Sequence, residues 1–289
     1  MDTYGPSPIN RSRRSQAELS QIEDAMIQIV ADDNPMTLRG LFYRLAAGGI
    51  VQKTDAEYKN VGRYLLKLRR EGRIPYAWIS DNTRWMRKPR TYDGLESALW
   101  HTANYYRRAL WRAHDAYIEV WCEKDALAGL LMMETDPYDV PLMVARGFSS
   151  ETFLHSASET LKADGRRAFL YLLTDLDPAG LRIAADVEKR IRRFAPDSDI
   201  TVTRLGVTRA QVTAWNLPTR PTKRGDIRAK DFDGESVDLD AIPPRILRQL
   251  VRDAIERHID RDALEHEYEI ERIERDRLEE IALHFEQAA

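Results

Sequence analysis

The chain has 289 residues, 43% hydrophobic and 31% charged, with a net charge of −3, enough apolar material for real cores in about two domains. No apolar run approaches the ~20 residues needed to span a bilayer, and Met1 to Arg14 is polar without an apolar h-region, so neither a membrane span nor a secretory leader is expected. The single cysteine, Cys122, excludes an internal disulfide and fits a reducing, cytoplasmic compartment; it is expected to be buried in a strand.

In chain order, residues 1–14 lack periodicity and are expected to be a disordered tail. Ser15 to Ala31 places Leu19, Ile22, Ala25, Met26 and Ile29 at helical spacing, and Asp32-Asp33-Asn34-Pro35 breaks that helix. Thr37 is placed to cap a short helix through Leu38, Leu41, Phe42 and Leu45, which Gly48-Gly49 stops. A third helix is predicted from about Asp55 to Glu71, using Tyr58, Val61, Leu65 and Leu68. After Gly72, Arg73 to Ile79 alternates like a strand. Three helices and a strand in this order predict a winged helix over 15–92, whose third helix would enter a major groove.

Charge is distributed unevenly. Residues 1–115 carry 19 Lys+Arg against 13 Asp+Glu, a net +6, and the remainder 25 against 34, a net −9. Lys59, Arg63, Lys67, Arg69, Arg70, Arg73, Arg84 and Lys88 fall on the third helix and the segment after it, where they suit a polyanion such as a nucleic-acid backbone. A solvated helix face followed by a charged loop is the plainer alternative.

Arg84 to Tyr92 is a polar boundary, and a long helix is predicted over Asp93–Arg112. Strands at about 117–122, 140–145, 168–174 and 199–206 then alternate with helices at 124–134, 150–163 and 178–194. That order predicts a parallel α/β sheet over 93–218. Residues 219–289 add a charged loop, a helix from Pro243-Pro244 to about His258, and an acidic helix over Asp262–Gln287. That last helix places Leu264, Tyr268, Ile273, Leu278, Ile281 and Phe285 on one side, for packing or for an oligomer contact.

Two strands end in acid: Ile118-Glu119-Val120-Trp121-Cys122-Glu123-Lys124-Asp125-Ala126, and Phe169 to Leu173 followed by Thr174-Asp175-Leu176-Asp177-Pro178-Ala179-Gly180. A parallel sheet puts both ends on its carboxyl edge, where ligands bind. Asp175 and Asp177 are two apart and face the same side of an extended chain. Carboxylates about 4 Å apart repel by roughly 4 kcal/mol at an effective dielectric near 20, and a hard cation relieves that. A capped helix start is the other use of such a pair, and Asp177 before Pro178 suits one. Asp125 is expected to open a helix, and Lys124 to approach phosphate or to lie in solvent.

The pair resembles the Toprim metal site of topoisomerases, primases and some nucleases. Leu38-Arg39-Gly40-Leu41-Phe42-Tyr43 resembles the nucleophile segment of the topoisomerase VI A subunit and its meiotic break-forming relatives, with Arg39 and Tyr43 matching and Phe42 in place of the family's first tyrosine. Val144-Ala145-Arg146-Gly147-Phe148-Ser149 and Arg204-Leu205-Gly206-Val207-Thr208 are similar to further strand ends of that family. The likeness covers about residues 35–218, and small stand-alone A-like forms of bacteria and phages are the nearest analogy.

The resemblance implies an α/β protein with an N-terminal winged helix, a Toprim (Rossmann-like) domain and C-terminal helices. It implies Mg²⁺-dependent DNA cleavage, with Tyr43 linked to a 5′ phosphate, Arg39 balancing charge, and Glu123, Asp175 and Asp177 holding the metal while Glu123 shuttles a proton. It also implies a nucleoid-associated homodimer, the tyrosine of one subunit serving the other, and a separate B-type ATPase subunit. Two alternatives stay open: a Toprim nuclease that activates water while Tyr43 only packs, and a non-catalytic DNA-binding or assembly protein. The chain has no Gly-x-x-x-x-Gly-Lys-[Ser/Thr] loop, and its six histidines lack metal spacing.

Overall fold

Four parallel strands form the centre: β1 (Ala116–Cys122), β2 (Leu142–Val144), β3 (Arg167–Leu173) and β4 (Ile200–Gly206), in the order β2-β1-β3-β4. This computed structural model describes residues 14–80, 89–145, 147, 149–222, 232 and 234–288. The predicted tail over 1–14 except Arg14, together with Arg84, Lys88, Arg146 and Phe148, lies outside the described residues.

The strands are mostly apolar on both faces, as a parallel sheet covered by helices requires, with buried Glu119 of β1 accepting from the Tyr117 hydroxyl and Trp121 Nε1. On one face Trp121, Leu170 and Leu172 pack with α6 (Glu151–Asp164) and α7 (Pro178–Phe194). On the other, Ile118, Val120, Cys122, Tyr171 and Leu173 join one continuous core. That core takes in α1 (Gln16–Asp32), α2 (Leu38–Ala47), α3 (Asp55–Arg70), α5 (Ala128–Thr135) and α9 (Pro244–Glu256). The three N-terminal helices therefore pack on the body that carries the acidic strand ends. Cys122 is buried, and burial pushes its thiol up to about 12.

Local chemistry sets the helix starts. Ser15 and Glu18 form a capping box for α1. Thr37 Oγ1 accepts from Gly40 N at 2.9 Å and starts α2. Thr54 caps α3, which has Asp55 and Glu57 in its first turn and Lys67, Arg69 and Arg70 in its last, matching the helix dipole.

Two expectations differ from the structure, and the apolar side of the last helix is left largely exposed. Residues 73–79 are not a strand; Tyr76–Trp78 is a 3₁₀ turn, and Ile79 forms a single bridge to Met36. Pro75 has no N–H to give a ladder, and Arg73 N and Ile74 N turn back to Leu68 O while Met36 bonds to Trp78 O and Ser80 N. The helix α4 is Leu95–Tyr105, shorter than predicted. It ends where Arg108 turns away, its backbone N–H donating to Glu271 at 2.7 Å and its guanidinium to Glu267 and Glu274. Those acids belong to α10 (Arg261–Ala288), which packs on α4. α10 therefore buries Glu267 and Glu271, while Tyr268, Ile273, Ile281 and Phe285 are exposed rather than covered. Among the described residues no helix is long and apolar enough to cross a membrane.

Candidate active site

The register of β1 with β3 pairs Cys122 with Leu173, so the two strands leave the sheet side by side. Glu123 N donates to Leu173 O at 3.0 Å, and Asp175 N donates to Glu123 Oε2 at 3.2 Å. Asp177 follows as the cap of α7, its Oδ1 accepting from Gly180 N at 2.8 Å with Pro178 in the first turn. Glycine is required at 180, because a β-carbon there would collide with the Asp175 carbonyl oxygen. From β4, Arg204 donates to Thr174 Oγ1 and to the Asp175 carbonyl, both at 3.0 Å, and pins the turn.

The three predicted acids thus share one edge and feel one another. Burial, then the charge of Asp175 and that of Asp177, pushes the Glu123 carboxyl up. Burial also raises Asp175, against the pull of Lys124.

A second acidic pair, Asp238 and Asp240, belongs to no motif recognised in the sequence. Residues 236–242 return beside the β3–α7 turn. Val237 and Leu176 exchange backbone hydrogen bonds at 2.8 and 2.9 Å, and Leu239 N donates to Asp175 Oδ1 at 2.7 Å. Lys124 Nζ sits 2.8 Å from Asp175 Oδ1, 2.7 Å from Asp240 Oδ2 and 3.5 Å from Asp238 Oδ1. Burial opposes its charge, but these three carboxylates hold it well above the usual lysine value. Lys124 is therefore neither solvated nor free for phosphate. The available sequence signal was the alternation of buried Val237, Asp238, Leu239 and Asp240, an acid-x-acid pattern in strand-like spacing.

Tyr43 lies against this second pair within the same chain. Its ring is buried at 6% exposure, and its hydroxyl donates to Asp238 Oδ2. Lys53 Nζ stands 4.9 Å from the ring centroid and donates to the carbonyls of Pro218 and Thr219 at 2.9 and 2.6 Å. Arg39, largely exposed, places a guanidinium nitrogen 3.6 Å from Asp238 Oδ1. Arg220 lies 3.2 Å from Asp238 Oδ2 and 3.4 Å from Asp177 Oδ2, joining the two acidic pairs. Burial and then Asp238 push the Tyr43 phenol well above its ordinary value, against Arg39 and Lys124. Burial alone would raise Asp238, but Lys124, the Tyr43 hydrogen bond, Arg220 and Arg39 bring its carboxyl down to about 2.

A groove of about 770 Å³ runs from α2 and α3 to the acidic edge, lined among others by Arg39, Tyr58, Arg69, Glu123, Lys124 and Asp240. Of the predicted basic residues, Lys59, Arg63 and Arg70 are exposed on α3. Lys67 and Arg73 instead pair with Glu23 of α1 at 2.7 and 3.0 Å, and Arg69 stacks over Tyr76 at 4.2 Å.

Among the described residues no three His, Cys, Asp or Glu side chains are gathered to hold a metal ion. The donor chemistry at the edge nevertheless fits Mg²⁺: the donors are carboxylate oxygens, and Glu123 is raised by burial and then by like charges that a cation would relieve. Lys124 already neutralises Asp175. The chain matches no protein-family model and no curated protein.

Proposed function

We propose that this chain cleaves DNA by Mg²⁺-dependent transesterification, in the manner of a type IIB topoisomerase A subunit, with Tyr43 becoming linked to a 5′ phosphate. The observation that carries the proposal is the meeting of Glu123 and Asp175 on paired parallel strands, in one body with Arg39 and Tyr43. In this proposal α1–α3 act as the winged helix and the sheet as the Toprim domain. Glu123, Asp175 and Asp177 would hold the ion, which when bound supplies charge neutralisation and Lewis-acid polarisation at the phosphate. Arg39 lines the groove and offsets charge on the scissile phosphate. The exposed cations of α3 position the DNA backbone, together with Arg84 and Lys88. A homodimer and a separate ATPase subunit belong to the same proposal.

One observation favours a second reading, in which metal-activated water hydrolyses DNA: Tyr43 is buried and its hydroxyl is already engaged by Asp238. Incubation of supercoiled plasmid with Mg²⁺, then denaturation with and without protease, separates the two. Transesterification predicts protein-linked breaks that vanish in Tyr43→Phe while DNA binding persists. Hydrolysis predicts clean breaks that survive Tyr43→Phe and vanish in Glu123→Ala.

A further inference from the structure

A phenol that attacks phosphorus must lose its proton, and at neutral pH only ~0.1% of an ordinary tyrosine is ionised. Among the described residues the Tyr43 hydroxyl donates to Asp238, not to Glu123, Asp175 or Asp177. We propose that Asp238 is a catalytic residue that accepts the Tyr43 proton as the phenolic oxygen attacks the scissile phosphorus. The inference rests on the transesterification proposed above. In the step, the phenolic O–H bond breaks and its proton passes to Asp238. The oxygen's electron pair forms the new P–O bond. The P–O3′ bond breaks, and the 3′ oxygen leaves with that pair and takes a proton from water. Resealing returns the proton from Asp238 to Tyr43.

The surroundings suit Asp238 better than its neighbours. Asp240 is occupied by Thr37 Oγ1 at 2.8 Å and Lys124 at 2.7 Å. Asp175 is occupied by Leu239 N and Lys124. Arg39 of α2, Arg220 and Lys124 hold Asp238 ionised, as an acceptor must be. The same Arg39, with Lys53 over the ring, favours electron density on the phenolic oxygen as the proton leaves. A carboxylate accepting a hydroxyl proton in phosphoryl transfer is established chemistry.

The test is single-turnover adduct formation on a labelled duplex oligonucleotide with Mg²⁺, from pH 6 to 9, using the full chain. Asp238→Asn should bind the duplex as the wild type does but form adduct about 10²–10⁴-fold more slowly at pH 7. Its rate should then climb about tenfold per pH unit as hydroxide replaces the lost base, whereas the wild-type rate stays nearly flat. Adduct formation within about threefold of wild type, with the same pH profile, overturns the proposal. Asp238→Glu keeps the charge beside Lys124 and Arg220 and serves if the asparagine variant does not fold. Its displaced carboxylate should slow the adduct at least about tenfold, and wild-type speed overturns the proposal. Failure of the transesterification reading shows differently: Tyr43→Phe still forms adduct, or the wild type makes only protein-free breaks, and either result removes this inference too.

Discussion

The two acidic regions of this molecule lie side by side, share Lys124 and Arg220, and differ in how their carboxyls are shifted. At the sheet edge, Glu123, Asp175 and Asp177 repel one another, and burial and like charge raise the Glu123 carboxyl. A few ångströms away, Asp238 and Asp240 are met by Lys124, Arg39 and Arg220, and Asp238 is brought down to about 2. In the first region Lys124 reaches Asp175 and Arg220 reaches Asp177, yet the Glu123 carboxyl stays raised by burial and like charge, the condition a divalent cation relieves. The second is already balanced and keeps an ionised carboxylate on a phenol. The number of acids therefore says little; the partners of each acid decide what it can do.

The largest expected effect falls on Glu123 at the sheet edge. Glu123→Ala should lower Mg²⁺-dependent strand cleavage by about 10³-fold or more in the plasmid assay. Unchanged cleavage would remove the edge from the chemistry. Lys124→Met removes the ammonium that the two regions share. Stranding three buried carboxylates should cost about 3–5 kcal/mol of unfolding free energy by denaturant titration. A loss below about 1 kcal/mol would mean that Lys124 is not their shared counter-ion. Gly180→Ala, which drives a β-carbon into the Asp175 carbonyl, should cost about 1–3 kcal/mol and displace the acidic turn.

pH should move the two regions in opposite directions. Asp238 titrates lower folded than unfolded, where a carboxylate has a value of about 3.9. The stability it contributes is complete above about pH 4 and is lost as pH falls towards 2. The gap between wild-type and Asp238→Asn stability curves should close over that window. Glu123 is raised instead, so its ionised form penalises the fold as pH increases. Glu123→Gln should therefore gain stability at pH 7 and lose that gain in acid. Parallel behaviour of the two variants would break the contrast. The smallest effect concerns α3. Arg63→Ala should reduce the slope of log affinity against log salt by about 1, while Lys67→Ala, whose ammonium is held by Glu23, should leave the slope unchanged.

What the sequence disclosed follows from range. The caps at Thr37 and Asp177, the ends of β1 and β3, and the α/β alternation depend on neighbours in the chain, and all are legible there. The meeting of Glu123 with Asp175 follows from parallel pairing once those strands are recognised. Asp238 and Asp240 acquire meaning only through Thr37, Tyr43 and Lys124, far away in sequence, with Thr37 and Asp240 separated by 203 positions. The same holds for α10, whose buried side is set by Arg107 and Arg108 meeting Glu267 and Glu271 rather than by its apolar stripe. Helix α4 stops short of its predicted end at the same contact.

The most direct test is mass spectrometry of tryptic peptides after the chain has broken plasmid DNA in Mg²⁺ and the DNA has been digested to nucleotides. The account predicts that the peptide Gly40–Arg44 carries a 5′-linked nucleotide on Tyr43. Broken DNA beside an entirely unmodified Gly40–Arg44 peptide would contradict it.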